Sequence, residues 1–141
     1  MKKLLIALVL LCPLAVSAAE DYELGTYWTV TGVDTEPGRF NDYMSDLNNV
    51  WRKSLEMLKA DGKVVSYTMF SNVNARENEP DLWLLVEWSS AAAMLDTPQE
   101  YFEAQNEELF GSMEKGMKAN IKRGEIRTIK SNTLMQEMKF K

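Results

Sequence analysis

Along this 141-residue chain the spacing of apolar positions switches between two and three-to-four residues, and each switch marks an element. From Tyr22 to Val33 the residues Tyr27, Thr29, Thr31 and Val33 alternate with Trp28, Val30 and Gly32, and β-branched or aromatic types predominate, which predicts a strand. Asp34 to Gly38 ends it. Phe40, Tyr43, Met44, Leu47, Trp51, Leu55 and Leu58 then recur at threes and fours, leaving Asp42, Asp46, Lys53 and Lys59 for solvent. This is a helix, capped by Thr35 or Glu36 with Pro37 in its first turn, and Asp61-Gly62 stops it. Val64 to Phe70 and Leu82 to Trp88 read as two strands of a hairpin, joined by the polar, proline-containing stretch from Asn72 to Asp81.

Ser89 or Ser90 caps a short alanine-rich turn through Leu95, and Thr97-Pro98 opens a longer helix ending at Gly124. Tyr101 or Phe102, Leu109, Phe110, Met113, Met117 and Ile121 mark its expected buried stripe. Glu125 to Met138 is the last strand, with poor alternation and an expected bulge near Asn132. The order β-α-β-β-α-β predicts an α+β, ferredoxin-like domain over residues 20–141, an antiparallel sheet with its helices on one face. In the third strand Leu82, Leu84, Val86 and Trp88 form one face while Trp83 and Leu85 dominate the other. Helices cover only one face, so a strand apolar on both sides predicts a second cover. The economical cover is a second copy, giving a two-fold homodimer whose facing sheets enclose a barrel-like cavity. The alternative cover is local, with the strand ends tucked under Trp28 and a terminus.

The start of the chain changes the setting. Lys2 and Lys3 precede an apolar run from Leu4 to Val16, too short to span a bilayer, and Ser17, Ala18 and Ala19 follow. That order predicts a secretory signal over residues 1–19, cut after Ala18 or Ala19, and an exported, periplasmic or secreted protein with no stable membrane association after cleavage. Leu11 before Cys12 argues against lipidation. Cleavage would take two of the 16 basic residues and none of the 21 acidic ones, moving the net charge from −5 to −7, so nucleic acid is not an expected partner. It would also remove Cys12, the single cysteine of a chain without histidine, so no metal and no cofactor is expected. The acids of the second helix, Glu100, Glu103, Glu107 and Glu108, read as a solvated face, and the methionines read as adaptable packing rather than a copper site.

The element order, the Glu36-Pro37-Gly38 turn and the stretch Glu87-Trp88-Ser89-Ser90-Ala91-Ala92-Ala93-Met94-Leu95 resemble the dimeric α/β-barrel superfamily. Over about residues 24 to 138 they look most like the branch named for antibiotic-biosynthesis monooxygenases. Members of that branch often carry histidine where this chain has Asp96 and Gln99, and haem-binding relatives use a histidine ligand that this chain lacks, so the resemblance does not extend to haem chemistry. Its cofactor-free oxygenases surround a phenolic substrate with Asn, Trp, Tyr or Arg. The resemblance therefore implies a candidate catalytic set of Asn48 and Trp51, three apart on one helix, with Tyr67 on the second strand and Glu87 on the third. An amide would hold an oxyanion, an indole supplies a flat wall, and a carboxylate raised by burial takes a proton. Each also has an ordinary reading: Trp51 on the core stripe, Asn48 at its wet border, Tyr67 on a half-buried strand, Glu87 at a solvated end. The expectation is an exported dimer binding a small apolar or aromatic molecule in its cavity. The alternatives are a cofactor-free monooxygenase or isomerase acting on a phenolic compound, and a structural or stress-related dimer without ligand.

Overall fold

The computed structural model of the protein describes residues 21–141, and the segment read as a secretory signal lies outside them. Four strands, β1 (Tyr22–Thr35), β2 (Val64–Ser71), β3 (Leu82–Trp88) and β4 (Arg127–Phe140), form one sheet in the order β2-β3-β1-β4 with every neighbour antiparallel. This is the ferredoxin-like arrangement. Both central strands come from the most regularly alternating parts of the sequence, β1 and β3.

The register sorts the side chains. Val33 pairs with Leu82, Thr31 with Leu84, Thr29 with Val86 and Tyr27 with Trp88, so these lie on the face that meets the helices. There Val33, Leu82 and Leu84 pack with Tyr43, Leu47 and Ile126, while Val64, Val86 and Trp88 pack with Leu55 and Leu58. The intervening residues Trp28, Val30, Trp83 and Leu85 share the opposite face, which no helix covers; each is half-buried, and neighbouring Phe70 and Met135 are 57% and 49% exposed. Three register shifts bend the sheet: one at Val65 of β2, one at Gly25-Thr26 of β1, and one that places the extra residue of β4 at Lys130, two residues before the expected position.

The first helix differs from expectation at its start. Glu36-Pro37-Gly38 is a turn rather than a first helical turn: Gly38 has φ +78° and Arg39 N–H donates to the Glu36 carbonyl, a geometry that places proline and then glycine at its centre. Helix α1 begins at Phe40 and runs to Asp46, a π-helical turn follows over Leu47–Trp51, and α2 continues over Arg52–Ala60. The reason lies in the spacing. Tyr43, Leu47, Trp51 and Leu55 are four apart three times in succession, and each step of four overshoots an α-helical turn by about 40°. The wider i→i+5 turn absorbs the excess, keeping Tyr43 and Leu47 on the sheet together with Leu55 and Leu58.

Ser90 caps the short helix α3 (Ala91–Leu95) through the Ala93 N–H, as its sequence predicts. The long helix expected after Pro98 is instead two: α4 (Gln99–Phe110) and α5 (Met113–Gly124). Gly111 adopts φ +77° and ends α4, and Ser112 accepts from Lys115 N–H to start α5. The break splits the expected stripe, in which Tyr101, Leu109 and Phe110 are half-buried and Tyr101 packs against the core. Phe102, Met113, Met117 and Ile121 are exposed, and the buried positions of the pair are Gln105 and Gly116, where α4 meets Ser54 of α2 and α5 meets Asn106. Among the described residues no helix is long and apolar enough to cross a membrane.

Candidate functional site

The π-helical turn and the outer strand β2 build a pocket of about 180 Å³ between them. From the turn come Leu47, Asn48 and Trp51, and from the flanking helices Met44 and Arg52. Tyr67 and Met69 reach it from β2, because they pair with Val86 and Leu84 and so project to the helical side of the sheet. Three of the four expected residues, Asn48, Trp51 and Tyr67, thus line one pocket. The Trp51 and Tyr67 rings meet edge to face, centroids 5.4 Å apart at 81°, a favourable aromatic arrangement that fixes one corner. Trp51 also packs against both core clusters, so its indole is anchored by the fold while one side remains available to the pocket.

The polar groups sit around this apolar interior. Asn48 and Arg52 are exposed, one helical turn apart, and neither the Asn48 amide nor the Arg52 guanidinium takes part in a side-chain hydrogen bond or ion pair among the described residues. The Tyr67 hydroxyl donates to a Glu56 carboxylate oxygen. That hydrogen bond, with smaller contributions from burial and from the Glu56 charge, pushes the phenol above its ordinary pKa against the opposing pull of Arg52. Tyr67 is therefore a neutral phenol at any physiological pH.

Glu87 does not join them. It pairs in register with Trp28 and lies on the opposite, helix-free face, where Thr26 donates to one oxygen at 2.9 Å and Ser66 to the other at 2.6 Å. Alternation decides this: Tyr67 lies opposite Val86, one step from Glu87, so the two side chains fall on different faces. Close by on that face, Trp28, Val30, Leu85, Met135 and Glu137 border a shallow depression of about 320 Å³. A third concavity, about 390 Å³ and open, runs between Trp51 and Ser54 on one side and the apolar side chains Phe102, Leu109, Met113 and Met117 on the other. Among the described residues no group of three or more acidic side chains is arranged to hold a metal ion.

Arg52 and Met69 complete the pocket without being marked by the sequence pattern, and Met44 joins it from the apolar stripe of the first helix. Arg52 follows Trp51 immediately and so reads as one more solvent-facing cation; its signal is the i, i+4 relation to Asn48, visible once Asn48 is suspected.

No family model matches the chain, and no curated protein matches it. Solved structures do. HapK from Hahella chejuensis aligns over 79% of this chain and 91% of its own with a TM-score of 0.51 and 9% sequence identity, which establishes a shared fold and nothing finer. A dimeric ferredoxin-like protein from an uncultured marine organism aligns over 82% of this chain and 94% of its own, with 15% identity and a TM-score of 0.47.

Proposed function

We propose that this chain is an exported small-molecule-binding protein of the dimeric α/β-barrel kind, with its site in the pocket between the π-helical turn and β2. The observation that carries the reading is the convergence of Asn48, Trp51 and Tyr67 on one apolar pocket of about 180 Å³. A void near 150 Å³ accommodates a single benzene ring, so a one-ring molecule or its aliphatic equivalent fits here. The π turn supports the reading as well, since such turns cost regular hydrogen bonding and cluster at functional sites. Two copies cover each other through the helix-free faces bearing Trp28, Trp83 and Leu85, and the ligand site stays on the helical side of each.

The test is native mass spectrometry of protein purified from the exported fraction of its host, followed by calorimetric titration with single-ring compounds such as benzyl alcohol. A dimer carrying a retained small molecule, or saturable binding that Trp51→Ala abolishes, is the expected result. Absence of binding by every ring compound up to millimolar concentration overturns it. Export has its own check: the mature protein begins at Ala19 or Glu20, and an intact Met1 or a lipid on Cys12 refutes it.

A second reading, a cofactor-free monooxygenase or isomerase acting on a phenolic molecule, draws on the Asn48 amide and Arg52 guanidinium, groups suited to holding an oxyanion. It ranks lower because Glu87, the carboxylate assigned to proton transfer, faces the other side of the sheet. Oxygen uptake with a phenolic substrate in the presence of chelator would promote it. The third reading, a ligand-free structural or stress-related dimer, has the pocket against it.

A further inference from the structure

We infer that the ligand of this pocket is an acid: a single-ring or similarly compact apolar molecule bearing one carboxylate or ionised hydroxyl, held by Arg52 with Asn48 beside it. The inference rests on the binding reading above and narrows its ligand class. Of the pocket's side chains, Met44, Leu47, Trp51 and Met69 offer apolar surface and the Tyr67 hydroxyl is already committed to Glu56. The polar capacity left over is therefore the Asn48 amide and the Arg52 guanidinium, neither of which has a side-chain partner among the described residues. A guanidinium is permanently charged and presents a fork of donors that matches two oxygens of one acid group, and the neighbouring amide adds a donor that a neutral apolar ligand would leave unused.

Charge elsewhere sharpens the selection. The protein carries a net charge of −5, so its surface as a whole repels anions, and an unpaired arginine at a pocket mouth is a local exception to that field. Glu56, the acidic group nearest the pocket, is turned to the Tyr67 hydroxyl. A cationic ligand would be repelled by Arg52, whereas an anion would be drawn to it. The volume of about 180 Å³ leaves room for a benzoate-sized molecule.

Benzoate, benzyl alcohol and benzylammonium share one ring and differ in charge, so titrating the purified protein with each at neutral pH separates the two levels of the proposal. The expected result is benzoate binding about tenfold more tightly than benzyl alcohol, weakening as salt is raised, with no measurable binding of benzylammonium. Arg52→Gln should collapse the benzoate-to-alcohol ratio towards one, and Arg52→Lys should restore part of it. Because Arg52 is exposed, circular dichroism of the variants should be that of the parent. If benzyl alcohol binds as tightly as benzoate in the parent protein, the acid assignment falls while the binding pocket stands. If none of the three binds, both fall together.

Discussion

A single hydrogen bond from Trp88 Nε1 to Thr29 Oγ1, 2.6 Å long, satisfies the polar atom of an indole that is only 8% exposed. Thr29→Val keeps the shape and removes the acceptor, so the indole N–H is stranded in the core; stability should fall by about 1–3 kcal/mol, read from the urea midpoint, whereas Thr29→Ser should retain most of it. A second residue-scale test concerns alkaline pH. Burial, then the hydrogen bond to Asp61, push the Tyr101 phenol up to about 12, above the 10.0 of an unfolded tyrosine. Between those values the unfolded chain has lost a proton that the folded one keeps, so stability is complete below pH 10 and drains as pH climbs towards 12. Tyr101→Phe should flatten that decline relative to the parent in urea titrations at pH 8.5 to 11.5. At this scale the candidate site was partly legible. Asn48 and Trp51 could be placed on one side of a helix by their spacing, and Tyr67 on the strand opposite. Glu87 was not, because its face depends on which of two alternating sets the helices cover, and a strand apolar on both sides withholds that information. Arg52 was hidden by its type, since a charged residue beside a core tryptophan looks like solvent-facing surface.

The elements were legible wherever one period ran unbroken, as in β1, β3 and the serine-capped turn at Ala91. They were obscured where a short insertion or a glycine changed the local geometry without changing residue types. The apolar stripe from Met113 to Ile121 looks buried on a continuous helix, but the left-handed Gly111 redirects α5 and exposes it. The π turn was written in the run of fours from Tyr43 to Leu55, a spacing that also passes as ordinary helix when no axis is drawn. It yields a prediction. Deleting Asn49, an exposed residue of the turn, changes the run to four, three, four, three, which an α-helix accommodates with the same residues on the sheet. The variant should therefore fold with a urea midpoint close to the parent's. Yet Asn48 and Trp51 lose the offset that sets them around the pocket, and single-ring ligands should bind at least about tenfold more weakly by calorimetry. Equal affinity in the deletion variant would mean that the π turn is incidental to binding.

For the whole molecule the decisive feature is a sheet with one covered and one uncovered face. Trp28, Val30, Trp83 and Leu85 lie together on the uncovered side, flanked by exposed Phe70 and Met135, and a contiguous aromatic and aliphatic surface of this kind is disfavoured in water. The carboxyl-terminal end of β4 does not close it, since Phe140 is itself 94% exposed and pairs with Tyr22 at the strand's outer end. A second copy applied to the same face would bury both sets at once and satisfy the symmetry of an isologous dimer. Leu85 stands on central strand β3, bordering the depression beside Trp28 and Val30, so an aspartate there would be sealed into the interface without a partner. Leu85→Asp should therefore convert a dimer into a monomer by light scattering. The control is Val73→Asp, at a hairpin position 95% exposed, which should leave the dimer intact. Because the pocket proposed for the ligand lies on the helical side, the monomeric Leu85→Asp protein should still bind the same single-ring compounds. Loss of binding together with dimerisation would place the ligand between the two sheets instead, and a monomeric parent protein would remove the argument for pairing altogether.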